Sequence, residues 1–367
     1  MKKRILILIP RMNGGGTERV VSVIANYLCG EYDIQITTLV SRESFYPLNA
    51  SISFTSACFE INRSSKFTRL ASMCRNFIRS ILFVRETIRE YKPQVILSFI
   101  EEMDITAFLA TRGLTGFKII YSERNDPTRR SRMFQNILER IYKTADGFVC
   151  QTETVSRYYS MVDAGKKSVI SNPVDFSLFP QKTEESRPLK IVTVGRLVKQ
   201  KNILLLVDAF AKIADKYPSV KVFAYGEGPE RNRIEERIAR HHLENRFFLP
   251  GKTADVLNTI KDAAVFAFPT NFEGFPNALI EAVALGIPVV TTDFATGVAR
   301  DLVPKENGIV VPCNDVEAFS SALDELLGND EKRNGIRNSS RNTLQSLSVQ
   351  NIATTWKKMI EGYLEVA

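Results

Sequence analysis

The sequence predicts an α/β chain of two domains, each built on a mostly parallel sheet. Three observations predict it. Short apolar runs that read as buried strands alternate with amphipathic helical patterns along the chain. Several of these runs end in glycine-bearing loops that lead into a helix, the grammar of ligand-binding turns in α/β sheets. The length, 367 residues, suits two domains.

Residues 3–10 read as the first buried strand. They run into Arg11-Met12-Asn13-Gly14-Gly15-Gly16-Thr17-Glu18 and then a helix with Val20, Val21, Ile24 and Leu28 apolar. The glycines either let a ligand approach the backbone or form only a flexible turn. The loop is neither the GxGxxG fingerprint nor a phosphate loop ending in Lys-Ser/Thr. Residues 34–40, 95–100, 117–121 and 147–151 are further short strands. Residues 66–92 form a long helical pattern. At about 100° per residue, Leu70, Met73, Phe77, Ile81, Val84, Ile88 and Tyr91 share one stripe. Arg75, Arg79, Arg85 and Arg89 share another face, and Ile78, Leu82 and Phe83 fall outside the main stripe. Such a helix suits a membrane surface, and equally a core-packed helix with a solvated basic face. Arg124, Arg129, Arg130 and Arg132 follow Tyr121-Ser122-Glu123 at a strand end. They could meet an acceptor's phosphate or form a solvated loop.

Residues 170–175 close the first half, and the polar residues 181–188 read as part of a linker. The second domain opens with a strand at 190–194, then Gly195-Arg196-Leu197-Val198-Lys199-Gln200-Lys201-Asn202, then an apolar helix. Arg196 and Lys201 stand at opposite ends of one loop before a helix N-terminus. There two cations would neutralise a diphosphate, or remain simply solvated. A strand at 220–225 ends in Gly226-Glu227-Gly228-Pro229. The strand-like run 263–269 leads to Glu273-Gly-Phe-Pro-Asn-Ala-Leu-Ile-Glu281. Here Gly274 and Pro276 mark a tight loop, Pro276 is placed to be the first helical residue, and the helix N-terminus suits a phosphate. Glu273 precedes that anion site and Glu281 follows it, so the pair could grip hydroxyls of a phosphate-bearing ligand; two solvated glutamates are the plain alternative. Strand-like runs at 288–292 and 308–312 follow. The C-terminal helix carries Trp356, Met359, Ile360 and Tyr363 on one stripe.

Composition narrows the function. Hydrophobic content of 44% and charged content of 25% are ordinary for a soluble globular protein. No apolar run is long enough to span a membrane. The short apolar run 5–9 has no small-residue cleavage site after it, so a buried strand is expected there rather than a signal peptide. Five scattered cysteines without a CxxC pair argue for reduced thiols in a cytoplasm and against zinc. The only histidines, His241 and His242, are adjacent, which excludes a multi-histidine metal centre. The net charge of +8 sits entirely in residues 1–180, with 25 basic against 17 acidic residues; residues 181–367 balance at 24 each. The first half therefore faces something acidic. No basic run interleaved with aromatics is present, which argues against nucleic acid.

Taken together, Gly14-Gly15-Gly16-Thr17-Glu18-Arg19, Gly195-Arg196-Leu197 with Lys201, Gly226-Glu227-Gly228-Pro229 and the Glu273–Glu281 stretch resemble the motifs of retaining nucleotide-sugar glycosyltransferases of the GT4 family. The last is similar to that family's Glu-x7-Glu signature, and the resemblance covers nearly the whole chain. It implies the GT-B fold, two Rossmann-like α/β domains facing a central cleft. Residues 1–180 would bind the acceptor, 181–345 the nucleotide sugar, and 346–367 would be a helix packing back on the first domain. It implies that Arg196 and Lys201 bind the donor diphosphate and stabilise it as it leaves. Glu281 would hold the ribose hydroxyls and Glu273 the donor sugar. Gly195, Gly274 and the backbone of Phe275, Asn277, Ala278 and Leu279 would line the donor, with Gly15 and Gly16 approaching its phosphates from the other domain. Such enzymes are typically metal-independent and need no cofactor, because Arg, Lys and helix N-termini can replace a divalent ion. Where many relatives carry a histidine after the strand at 117–121, this chain reads Ser122-Glu123-Arg124-Asn125, so Glu123 becomes a candidate base or hydroxyl anchor. Arg124 and Arg129 become candidates for the acceptor. The implied partners are a nucleotide-sugar donor, UDP-linked by family frequency, and a saccharide or lipid-linked saccharide acceptor of a surface glycan. An anionic membrane surface at the inner face of the cell membrane is a further candidate. A UDP-N-acetylglucosamine 2-epimerase, which shares the fold, and a non-catalytic binder of anionic surfaces are the rival readings.

Overall fold

The computed structural model describes residues 2–59, 66–180, 189–303, 305–339 and 344–365. The chain forms two compact units, Met1–Pro173 with Val349–Ala367, and Val174–Ser348. The linker expected over 181–188 lies outside the described residues.

In the first unit β1 (Arg4–Leu8) is followed by α1 (Gly16–Leu28), β2 (Asp33–Thr38), β3 (Ser53–Ser56), α2 (Lys66–Tyr91), β4 (Val95–Phe99) and α3 (Glu101–Thr111). Then come β5 (Lys118–Ser122), α4 (Arg132–Lys143), β6 (Gly147–Cys150), α5 (Glu153–Tyr158) and β7 (Lys167–Val169). The strands pair in parallel in the order β3-β2-β1-β4-β5-β6-β7. In the second unit β8 (Lys190–Val194) leads to α6 (Ile203–Ile213), β9 (Lys221–Tyr225), α7 (Arg231–Arg240), β10 (Phe247–Gly251), α8 (Val256–Ile260) and β11 (Val265–Phe268). It continues through α9 (Asn277–Ala284), β12 (Val289–Thr292), α10 (Val298–Leu302), β13 (Gly308–Val311), α11 (Val316–Gly328) and α12 (Asp330–Ser339). These strands are also parallel, ordered β10-β9-β8-β11-β12-β13. The final helix, α13 (Val349–Glu365), belongs to the first unit.

The buried strands are those the apolar runs predict. Ile5, Leu6, Ile7 and Leu8 are fully buried, as a parallel strand covered on both faces requires. Two strands are not anticipated, β3 (Ser-Phe-Thr-Ser) and β7 (Lys-Ser-Val). Both lie at sheet edges, half exposed and without an apolar run.

In α2 the expected stripe fails over its first half. Val84 and Ile88 are buried, but Met73 (49%) and Phe77 (42%) are exposed, while Ile78 (59%) and Leu82 (60%), which fall outside the stripe, are exposed as that placement implies. The inward positions are Ser80, Val84, Thr87 and Ile88 instead. The hydroxyls of Ser80 and Thr87 donate to the carbonyls of Phe77 and Phe83, which lets small polar residues face inward without a lost hydrogen bond. The side chain of Leu70 lies outside the described residues.

α13 packs along α1. Lys357 pairs with Glu31 at 2.7 Å, the Tyr27 and Thr354 hydroxyls lie 3.1 Å apart, and Lys3 Nζ donates to the Leu364 carbonyl at 2.9 Å. The Tyr363 ring occupies the space that a Cβ on Gly147 would need. Trp356 is fully buried, 5.7 Å from the Phe99 ring. Trp356→Ala should therefore lower unfolding free energy by about 3–5 kcal/mol in denaturant titration, the usual cost of truncating a buried aromatic; a loss under about 1 kcal/mol would show that α13 is not anchored by this side chain.

Candidate active site

In open parallel sheets ligands bind outside the C-terminal strand ends, where the strand order reverses. In the second unit that point lies between β8 and β11. The loops after these two strands carry the residues the sequence singled out: Gly195, Arg196 and Lys201 on one, Glu273 to Pro276 on the other.

The two loops meet at an ion pair. Lys201 Nζ lies 2.6 Å from Glu273 Oε1, with the two side chains 16% and 10% exposed. The ammonium also sits 4.7 Å from the centre of the Phe268 ring. Thr270 donates its hydroxyl to the same carboxylate oxygen at 2.9 Å, and the Thr296 hydroxyl donates to the Glu273 carbonyl at 3.0 Å. Arg196, by contrast, is exposed, and its side chain has no hydrogen-bond or ion-pair partner among the described residues. A paired lysine and an uncommitted arginine on one loop leave cationic capacity beside α9.

Glycine is required here by backbone approach. A Cβ on Gly226, which holds φ +150°, would collide with the Gly195 carbonyl, and one on Gly228 would strike Leu197. The gain is a close docking of loops: Leu197 N donates to Glu227 O, and Glu230 N to Leu197 O, both at 3.0 Å. Gly195 itself leaves room for the aliphatic stem of Lys201, 3.1 Å from where its Cβ would stand.

The helix α9 starts at Asn277, one residue later than expected, with Pro276 as its N-cap and no side chain capping it. The reason is backbone geometry: Pro276 has ψ 96°, extended rather than helical. Gly274 and Phe275 form the loop before it, Asn277 and Ala278 open its first turn, and Glu281 is half buried in its second. Leu279 follows in the same first turn. Its side chain is buried in the core and its N–H donates to the Pro276 carbonyl at 3.1 Å, so it supports the loop from behind.

Gln200, Asn202, Asn271 and Asn314 were not foreseen, although they tie these loops together. Asn202 (φ 45°) and Asn314 (φ 59°) hold left-handed backbone, which asparagine tolerates better than most residues. An Asn directly before the helix at 203 was the available signal.

In the first unit the expectations fare differently. Gly15 is the N-cap of α1, but the space above it is filled by the buried Glu18 carboxylate, which a Cβ there would strike. The openness at Gly15 thus serves an internal acid, while Gly16 begins the helix.

Glu123 is buried and its carboxylate is fully engaged. Arg130 donates to Oε2 at 2.5 Å and to Oε1 at 2.8 Å, the Tyr159 hydroxyl donates to Oε2 at 2.5 Å, and Asn125 N donates to Oε1 at 2.9 Å. Arg130 also pairs with Glu101 at 3.2 Å. These four donors make Glu123 a brace for the loop after β5, and leave it no lone pair aimed outward for base catalysis.

Arg124 is likewise inside, against the expectation of an acceptor ligand. Its Nε donates to Ser122 Oγ at 2.8 Å and Nη1 to Asn172 Oδ1 at 3.3 Å. Its guanidinium carbon lies 5.4 Å from the ring centres of both Phe99 and Trp356. Burial pushes its pKa down to about 9. Arg129 and Arg132 remain at the surface. Nearby, buried Asp104 accepts from Ser98 Oγ at 2.7 Å and the Tyr142 hydroxyl at 3.0 Å, and burial holds its carboxyl well above the usual range.

Two Rossmann-like parallel sheets, one with cations and carboxylates on the loops at its switch point, are the architecture of the GT-B fold. Comparison with known proteins agrees. The family profile Glycosyltransferase Family 4 matches residues 14–178, and Glycosyl transferases group 1 matches residues 175–343. The chain is 25% identical over 364 residues to the Campylobacter jejuni GalNAc-alpha-(1->4)-GalNAc-alpha-(1->3)-diNAcBac-PP-undecaprenol alpha-1,4-N-acetyl-D-galactosaminyltransferase, covering 97% of this chain and 98% of that one. Its fold matches sucrose-phosphate synthase from Thermosynechococcus elongatus at TM-score 0.83, with 17% identity and full coverage of both chains. It matches Anabaena HepE in complex with UDP and glucose at TM-score 0.77, with 16% identity over 98% of this chain and 100% of that one. The chain belongs to the GT4 type of glycosyltransferases, and is a glycosyltransferase of glycan biosynthesis.

Proposed function

We propose that the enzyme moves a hexose or N-acetylhexosamine from a UDP-sugar to a growing lipid-linked surface glycan, with retention of configuration and without a catalytic metal. The observation that carries this reading is the Lys201–Glu273 pair, set beside uncommitted Arg196 and the uncapped start of α9 at the switch point. Arg196 and Lys201 would neutralise the departing diphosphate, the task a divalent ion performs elsewhere. The diphosphate leaves from the face that the acceptor hydroxyl attacks, so no side-chain nucleophile is needed. Glu273 would contact the donor sugar and Glu281 the ribose. Support for a UDP donor comes from the UDP complex of the structurally similar HepE, and for a lipid-linked acceptor from the diphospho-undecaprenol named for the Campylobacter relative.

Among the described residues no helix is long and apolar enough to cross a membrane. We infer that α2 brings the enzyme to its acceptor by resting on an anionic bilayer. Exposed Met73, Phe77, Ile78 and Leu82 lie among exposed Arg75, Arg79 and Arg89. Arg85 is excluded from that face, because it donates to the carbonyls of Ala110 and Arg112 at 2.8 Å.

Two outcomes test these readings. Glu281→Ala should weaken UDP binding about 10- to 100-fold in calorimetry, while Glu273→Ala should lower turnover by a similar factor with little change in UDP affinity. If both variants bind and turn over as wild type, the site is misplaced. Cosedimentation with phosphatidylglycerol vesicles should fall by about a kcal/mol for each of Arg75, Arg79 and Arg89 changed to Gln, and fall with salt. Association that survives both neutralisation and high salt contradicts the surface role of α2.

A further inference from the structure

We propose that Gln200, Asn202 and Asn271 are positioning residues that latch the two switch-point loops together and so hold Lys201 where a donor diphosphate meets it. The proposal rests on the reading of Lys201 as a diphosphate ligand. The sheet does not do this work. The parallel ladder between β8 and β11 pairs Ile191 with Val265 and Val192 with Phe266, and goes no further. At a reversal of strand order the two loops leave toward opposite faces of the sheet, so they need another connection.

That connection is a compact set of hydrogen bonds. Asn271 N donates to Gln200 O at 2.8 Å. Gln200 Nε2 reaches back to Phe272 O at 2.9 Å, the carbonyl immediately before Glu273. Asn271 Nδ2 donates to Lys199 O at 2.9 Å, so its Oδ1 faces Asn202 and accepts from Nδ2 at 3.1 Å. Asn202 Nδ2 also lies 3.0 Å from Oδ1 of Asn314, in the loop after β13. The residues on both sides of Lys201 are thereby fixed to Asn271 and Phe272, the two residues before Glu273. A lysine has a long flexible stem, and without a fixed base its ammonium would sample many positions. Rotational freedom removed before binding is not lost on binding, which is how preorganisation raises affinity.

The left-handed backbone at Asn202 provides a clean test. Asn202→Gly keeps that backbone accessible and removes only the amide, so its effect does not come from strain. Asn271→Ala removes the acceptor and leaves residue 202 untouched. UDP binding would be measured by calorimetry for wild type, for both variants, for Lys201→Ala and for Lys201→Ala/Asn202→Gly, with the melting temperature of each unliganded protein. The latch predicts that Asn202→Gly and Asn271→Ala each weaken UDP binding about three- to tenfold, the range of one or two hydrogen bonds. It also predicts that Asn202→Gly adds nothing once Lys201 is alanine, because the amide acts through that side chain. Unchanged affinity in both latch variants, or the same fold loss with and without Lys201, overturns the proposal. Unchanged affinity in Lys201→Ala would instead sink the diphosphate reading, and the latch role with it.

Discussion

The contact on which the candidate site depends is the ion pair between Lys201 and Glu273. These residues are 72 positions apart and meet because their strands, β8 and β11, are neighbours at the reversal of strand order. A largely buried pair is not self-evidently stabilising, since desolvating both ions offsets much of their attraction. Here Thr270 also donates to the carboxylate and the Phe268 ring faces the ammonium, whose other N–H donors remain for a ligand. The pair therefore sets geometry more than stability. A diphosphate arriving beside it would find one cation already held in place and a second, Arg196, free to close on it.

Much of this was legible in the sequence. Continuous apolar runs place the buried strands and period-3.6 patterns place most helices, because those elements are specified by which residues meet the core. The edge strands β3 and β7 escape for the same reason, having little buried face to write a pattern. The shifted stripe of α2 shows the limit of periodicity: Ser80 and Thr87 face inward, and their hydroxyls close back on the helix. Glycine motifs are visible as letters, but what each glycine accommodates is not. Gly226 and Gly228 make room for the backbone of 195–197, and Gly15 for the carboxylate of Glu18.

Charged residues were the least legible. Glu123 read as a candidate base or hydroxyl anchor and Arg124 as an acceptor ligand, yet both are interior. Their burial depends on partners distant in sequence: Tyr159 for Glu123, and Asn172 and Trp356 for Arg124. Arg124 lies against two aromatic rings, which return part of the hydration energy that a buried guanidinium loses. It thus links the loop after β5 to α13, and the last helix of the chain becomes part of the first unit's core. Among the described residues of the first half, Glu18, Asp104, Glu123 and Asp126 are buried but only one base, Arg124, so its surface is more basic than the formal charge suggests.

The central claim is that the loops after β8 and β11 receive the donor's diphosphate, and a crystal structure with bound UDP tests it most directly. The account predicts phosphate oxygens about 3 Å from Lys201 Nζ and from the Arg196 guanidinium, with the ribose hydroxyls on Glu281. A diphosphate bound away from these loops, with Lys201 still paired to Glu273 alone and Arg196 still solvated, would contradict it.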